Sequence, residues 1–334
     1  MTFFKLKRSL RYEFWPSYLF YSPFIPVWLF YSLRSFNLLY FTRVNPKINF
    51  GGFFQYSKFK VLEEIPEEYR LISHYFAEKP TDDSFYKGLL NFPFIYKPDF
   101  GERGKNVHLF RDSKTFEAFY PTINEAFILQ EYCDYAIELG ILYHRFPNGE
   151  SKISSVVQKE FLSVKGDGIS TLKRLAENEI RAHGRLDYLA NKFSREWQTV
   201  LEKDQICVLE EIGNHCRGTK FIDACDLISP DLKRIFDHIC KHLPDFHYGR
   251  FDLKVSSIED LKQGKNIRIF ELNGVNSEVA DIYDPKHNLM YAYRRVFNEL
   301  RTVYRISRAL RKNEVNIPNT LPEFYRALTK HFSA

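Results

Sequence analysis

Two short segments late in the chain, Arg250-Phe-Asp252 and Glu271-Leu-Asn273, each set two polar side chains two residues apart. On a strand, such positions share a face, and their neighbours Phe251, Leu253, Phe270 and Leu272 are apolar. Asp252, Glu271 and Asn273 would then offer two carboxylates and an amide oxygen. These are hard ligands suited to magnesium that is also held by phosphate oxygens and water. Arg250 beside them would neutralise a phosphoryl group in transfer. A surface strand pair with solvated charges is the plainer reading of the same letters.

A second candidate is FPFIYKPDFGERGKNVHLF, residues 92–110. Lys97, anchored on a strand, could present its ammonium to phosphate oxygens. Gly101 and Gly104 would let backbone N–H groups approach the same oxygens. The strand-like pattern after Gly104 separates this from a strand-to-helix phosphate loop, and an ordinary hairpin with a surface lysine fits as well. In AFILQEYCDYAIELGILYHR, residues 126–145, a strand runs into Gln130, Glu131, Tyr132 and Cys133. Backbone groups there could meet an adenine edge and Glu138 a ribose, or the two acids merely flank a turn.

Such groups need a scaffold of strands, and the pattern supplies one. Strands are expected at 92–97, 126–131, 138–145, 154–163, 206–211, 249–255 and 266–272. Helices are expected at 171–183, capped by Ser170, at 230–241 and at 285–312. The last carries an apolar stripe through Tyr293, Val296, Phe297, Leu300, Val303, Tyr304 and Leu310. A row of Arg294, Arg295, Arg301, Arg305, Arg308 and Arg311 lies opposite, either solvated or facing an anionic partner.

Composition narrows the class. At roughly 100–200 residues per domain, 334 residues make two or three units. With 44% hydrophobic and 27% charged residues the chain is globular, which excludes collagenous and disordered classes. Nineteen aromatic residues fall within 1–56, and residues 1–60 hold nine Lys or Arg, including Lys5, Lys7, Arg8 and Arg11, against Glu13 alone. The positive excess is therefore local, which suits an anionic membrane surface and not nucleic acid. Residues 16–33 carry no charge, but Pro16, Pro23 and Pro26 argue against a spanning helix. This segment either lies on a membrane surface or folds as an aromatic flap over its own protein. Five cysteines without a C-x-x-C pair point to a reducing, cytoplasmic setting. His74, His108, His144, His183, His215 and His247 show no ligand spacing.

The order Lys58, Lys97 before a glycine loop, Glu131 and Glu138 seven apart, then R-x-D and E-x-N, resembles the ATP-grasp superfamily. It is most similar to the D-alanine:D-alanine ligase branch, over about residues 55–284. The resemblance implies an α/β (α+β) fold in which two subdomains clamp ATP between antiparallel sheets. It implies a 1–56 N-terminal segment, a 57–130 subdomain with the lid, a 131–284 subdomain with the metal site, and a basic 285–334 segment. The implied chemistry converts a substrate carboxylate to an acyl phosphate that an amine or similar nucleophile attacks, with Mg²⁺ or Mn²⁺.

Residue by residue, Lys58 and Lys97 match the nucleotide lysines, and 101–105, with Gly101, Gly104 and Lys105, match the lid. Glu131, Tyr132 and Cys133 match the adenine hinge and Glu138 the ribose contact. Asp252, Glu271 and Asn273 match the metal ligands, and Arg250 the acyl-phosphate arginine. Lys165 in VKGDGIS is the candidate for a further lysine. That stretch and Asn214-His-Cys-Arg-Gly218 resemble amide-forming ligases such as cyanophycin synthetase, although a turn before a capped helix explains Gly166-Asp167-Gly168 equally.

Ser57 stands where the family usually has Asp, and only about 55 residues precede Lys58, too few for the family's first domain. That departure points away from D-alanine and toward a bulky, anionic or lipid-like substrate. An ATP-grasp kinase that stops at phosphoryl transfer, and an inactive nucleotide-sensing peripheral membrane protein, are the alternatives.

Overall fold

The computed structural model describes residues 8, 10–82, 84–101, 104–317 and 319–333. Alternation along its strands builds two large sheets, antiparallel throughout. The first has four strands in the order β1-β4-β2-β3: β1 (Ser73–Phe76), β2 (Phe94–Pro98), β3 (His108–Phe110) and β4 (Phe127–Glu131). The second has five in the order β11-β10-β5-β6-β9. These are β5 (Ile137–Arg145), β6 (Ser151–Glu160), β9 (Lys220–Asp223), β10 (Tyr248–Val255) and β11 (Ile267–Asn273), with β7 (Ser163–Lys165) and β8 (Ile206–Val208) pairing apart. The α/β architecture with paired antiparallel sheets is the one the resemblance implies.

Each large sheet has one greasy face and one charged face, because side chains alternate along a strand. In the five-stranded sheet Leu139, Ile141, Tyr143, Phe251, Leu253 and Val255 bury against Leu232, Phe236 and Ile239 of the helix Pro230–Lys241. Ser229 caps that helix by accepting from the Leu232 N–H, and Pro230 occupies its first turn. In the four-stranded sheet Phe94, Tyr96, Phe110 and Phe127 pack on Phe116 of the helix Ser113–Phe119. Phe94 and Phe116 meet edge to face at 5.0 Å. The opposite faces carry Lys97 and Gln130, and Glu138, Lys159 and Asp252.

The aromatic N-terminal segment packs on its own protein. Phe20, Phe24, Tyr31, Tyr40 and Val44 share a core with Val303, Tyr304, Ile306 and Leu310 of the long helix Leu289–Lys312, and Tyr31 stacks on Tyr304 at 4.3 Å. Pro23 and Pro26 sit in the first turns of short helical pieces, which divide the apolar run at residues 22–25. Among the described residues no helix is long and apolar enough to cross a membrane. Lys5 and Lys7 lie outside the described residues.

Several sequence expectations shift. The helix expected at 171–183 is Leu172–Asn178, and its cap is Thr171 because Ser170 donates its hydroxyl to Asp167 at 2.7 Å instead. The expected 154–163 strand is divided into β6 and β7, and 206–211 shrinks to β8. The long helix starts at Leu289, where the Asn288 side chain accepts from the Tyr291 N–H. Arg295 leaves the expected solvated row, since its guanidinium donates to Asp281 at 2.9 Å.

Candidate active site

Asp99 brings the two distant lysines together. Fully buried just after β2, its carboxylate accepts from the Ser57 hydroxyl at 3.0 Å and from the Phe59 N–H at 2.9 Å. It thereby pins the start of the helix Lys58–Glu63, which Ser57 caps. Lys58 then reaches Glu271 at 2.7 Å. Lys97, on the charged face of β2, donates to the Gln130 side chain at 2.9 Å and to the Phe270 carbonyl at 2.8 Å. That carbonyl belongs to a β-bulge: β11 shifts register between Glu271, opposite Asp252, and Ile269, opposite Leu253. Burial pushes the Lys97 ammonium down to about 8, against the pull of Glu271.

On the facing sheet Arg250 lies opposite Asn273, and Asp252 opposite Glu271. Asp252 is the hub. Its carboxylate accepts from Arg250 at 3.0–3.3 Å and from Asn273 at 3.0 Å, and pairs with Lys159 at 3.1 Å. Burial opposes its ionisation, yet Arg250 and Lys159 hold its carboxyl at about 2. Glu271 is also held below the usual carboxylate range, against burial, chiefly by Lys58. Gly140 sits opposite Asp252 on β5 and leaves room for it; a Cβ there would stand 3.2 Å from Asp252 Oδ1 and 3.0 Å from Val157. Tyr56 donates to Asn273 Oδ1 at 3.0 Å. Just beyond, Gly52 and Gly274 pass so closely that a Cβ on Gly52 would stand 2.6 Å from Gly274 Cα, which fixes the Gly51-Gly52 turn against the end of β11.

The structure therefore gathers Lys58, Lys97, Arg250, Asp252, Glu271 and Asn273. It does not gather all the rest. Lys165 lies on β7 with its side chain 65% exposed and paired to Asp204 at 2.7 Å. The lysine in the cluster is Lys159, buried between Glu138 at 2.9 Å and Asp252. The correction follows from register: Lys159 falls on the charged face of β6, whereas Lys165 sits past the end of that strand. Glu138 is thus engaged by Lys159.

Glu131 accepts the Ile72 N–H through its carboxylate at 2.9 Å, so its side chain fastens the start of β1. Lys254 donates to the Cys133 carbonyl at 2.9 Å and lies over the Tyr132 ring at 5.2 Å. Of the expected lid, Glu102 and Arg103 lie outside the described residues, and Gly101 and the exposed Lys105 flank them. Gly104 adopts φ +69°, and its carbonyl accepts from Arg217 at 2.6 Å. Tyr56, Gly140 and Lys159 carry no site role in the sequence, and Arg217 and Gln130 enter it only as members of the Asn214–Gly218 loop and of the strand before the hinge. Gly140 inside a strand was the legible signal among them.

The network holds four cations, Lys58, Lys97, Lys159 and Arg250, and four carboxylates, Asp99, Glu138, Asp252 and Glu271. Among the described residues no three His, Cys, Asp or Glu side chains gather as a metal cage. Asp252 and Glu271, opposed on neighbouring strands beside Asn273, form instead an oxygen set of the kind that holds magnesium jointly with phosphate oxygens, and in that sense the residues fit.

No family model matches the chain, and no curated protein does. Solved structures do. A D-alanine–D-alanine ligase from Bacillus anthracis complexed with ATP matches at 12% identity and TM-score 0.43, covering 85% of this chain and 75% of that one. A D-Ala:D-Ser ligase from Enterococcus faecalis matches at 11% and 0.43, covering 74% and 61%. A bifunctional glutathione synthetase from Pasteurella multocida matches at 13% and 0.34, covering 69% of this chain and 34% of its own. At such identities and scores nothing of their activity or substrates passes to this chain.

Proposed function

We propose that this protein is an ATP-dependent ligase of the ATP-grasp kind, which activates a substrate carboxylate as an acyl phosphate for attack by an amine or similar nucleophile. The observation that supports it is the single charged network between two antiparallel sheets, in which Lys97 of the four-stranded sheet and Lys58 of the helix Lys58–Glu63 meet Asp252, Glu271, Asn273, Arg250 and Lys159 of the five-stranded sheet. Lys58 and Lys97 bind the phosphates of ATP, and the hinge at Glu131, Tyr132 and Cys133 borders the adenine. Arg250 stabilises charge on the transferring phosphoryl group, and Lys159 neutralises the oxygen opposite. Arg217, which donates to the Gly104 carbonyl, anchors that end of the lid segment beside the acyl phosphate. Magnesium, held by Asp252, Glu271 and Asn273, would supply Lewis-acid neutralisation of the phosphates. Phosphoryl transfer rests on positioning and electrostatics, so no side-chain nucleophile is needed.

We read the enzyme further as working in a reducing compartment at an anionic membrane surface, through residues 1–45. The free state of all five cysteines and the exposure of Leu29, Phe30, Leu33 and Phe36 support this.

The test is ADP release by the full chain with Mg²⁺ and a panel of carboxylates and amines. Release that requires both a carboxylate and an amine, and is lost in Glu271→Ala, supports a ligase. Release with a phosphorylated product and no ligation identifies a kinase, and absence of ATP binding ends the reading.

A further inference from the structure

Away from that network, a pocket of about 280 Å³ lies between the helix Ile25–Ser35, the turn at Tyr40–Val44 and the end of the helix Leu289–Lys312. Arg34, Arg43, Arg308, Arg311 and Lys312 line it, and no carboxylate does. None of the five forms an ion pair with an acid among the described residues. Arg43 is 8% exposed, its Nε has no hydrogen-bond partner, and one terminal nitrogen reaches Ser307 Oγ at a long 3.4 Å. Burial, and after it Arg311, pushes the Arg43 guanidinium below its usual range. A buried cation without a counter-charge is costly and rare.

The plain explanation is that helix C-termini attract cations, and two helices do end here, at Ser35 and Lys312. Each terminus is worth about half a negative charge, so two offset roughly one cation of five. Arg311 accounts for part of that through the Ser35 carbonyl at 3.2 Å. The remaining excess needs an anion from outside.

The exposed apolar side chains on either side of Arg34 and Ser35 indicate which anion. Ile25, Leu29 and Leu33 form a stripe at helical spacing on the outward side of the helix Ile25–Ser35, and Phe36 follows just past its end, with Leu33 74% and Phe36 88% exposed. Arg34 lies over the Phe30 ring at 5.6 Å. A water-borne phosphate would use the arginines and leave this stripe in water. A phospholipid engages both, since its phosphate enters the pocket while the stripe sits among the acyl chains.

We propose that this pocket binds the headgroup phosphate of an anionic phospholipid, with Ile25, Leu29, Leu33 and Phe36 inserted beside it. The proposal rests on the surface-attached reading and names its ligand. The test is flotation of the full chain with phosphatidylcholine vesicles, with and without phosphatidylglycerol. The wild type is expected to float only with the anionic vesicles. The outer-rim double variant Arg308→Glu/Arg311→Glu is expected to lose more than roughly fivefold per charge changed, with ATP binding intact as the check on folding. Arg43→Gln is expected to weaken binding likewise, and Leu33→Ser/Phe36→Ser to weaken it by removing the stripe. Equal binding to both vesicle types, or full binding by the double variant, overturns the headgroup site while leaving surface attachment standing. Failure to float with either vesicle overturns surface attachment as well. Thermal stabilisation by inorganic phosphate that is lost in Arg43→Gln, without vesicle binding, assigns the pocket to a free anion and overturns the lipid assignment.

Discussion

Between the large sheets, buried positive charge is answered by nearby oxygen. Lys58 meets Glu271, Lys159 meets Glu138 and Asp252, Arg250 meets Asp252, and Lys97 meets a side-chain and a backbone oxygen. At the end of the helix Leu289–Lys312, Arg43 is equally buried and no acid meets it. The contrast separates two ways of preparing to bind an anion. A compensated network is held in place before its ligand arrives, and its acids are free to turn to a metal when phosphates replace them as partners of the cations. An uncompensated pocket carries its desolvation cost until an anion enters, so ligand binding should raise its stability directly.

The largest effects should come from breaking the compensation. Asp252→Ala leaves Arg250 and Lys159 without their shared carboxylate and should cost about 3–5 kcal/mol in urea unfolding, with loss of ADP release. Arg43→Met, in contrast, removes a charge that nothing balances and should leave unfolding unchanged or stabilise by about 1 kcal/mol. Equal destabilisation by both variants would erase the distinction between the two regions.

A second pair of substitutions tests the register of β6. Lys159→Met leaves Glu138 without its cation and Asp252 with Arg250 alone, and should cost about 3 kcal/mol along with activity. Lys165→Met, at an exposed ion pair, should stay within about 0.5 kcal/mol of wild type and keep its activity. Parallel chemical-denaturation and ADP-release measurements on the two variants would expose an error in the placement of either lysine.

That pair also marks what the sequence could reveal. Strands with one greasy and one charged face are legible, since β2, β4, β5, β10 and β11 each lie within a few residues of the expected span, and the helix Pro230–Lys241 matches its span with Pro230 behind a serine cap. The convergence of 58 and 97 on 250, 252, 271 and 273 depends on the order of strands between sheets, which the resemblance and not the periodicity supplied. Lys159 escaped because a lysine near a strand end ordinarily reads as solvent-facing, and only the burial of Glu138 and Asp252 opposite gives it a reason to turn inward. The helices Lys58–Glu63 and Ile258–Gln263 are too short for helical periodicity to register, and their serine caps show only once the Lys60 and Asp260 N–H groups are seen to point at them. The aromatic segment left two readings open, because its rings suit either a protein core or an interface; the structure uses Phe20, Tyr31 and Tyr40 for the first and leaves Leu33 and Phe36 outside.

Within the compensated network Lys97 is the exception, since its partners Gln130 and Phe270 are neutral oxygens. Lys97→Ala should weaken ATP binding by about 2 kcal/mol, roughly 30-fold by calorimetry, through loss of one charge-assisted contact.

The smallest effect comes from titrating Lys97 in place. Burial sets its ammonium at about 8 in the folded protein, against 10.5 ordinarily. Below pH 8 both folded and unfolded chains hold the proton, and the folded state carries the full cost of the buried charge. As pH rises from 8 toward 10.5 the unfolded chain holds more protons than the folded one, so this group makes unfolding progressively harder in that window. ATP binding should move the opposite way, because phosphates need the charged lysine. Affinity should be flat to about pH 7.5 and fall by about tenfold near pH 9. In Lys97→Arg, which stays charged throughout, the fall should vanish. A wild-type binding profile that is level from pH 7 to 9 would mean that Lys97 does not touch the phosphates, and would leave Lys58 as the nucleotide lysine.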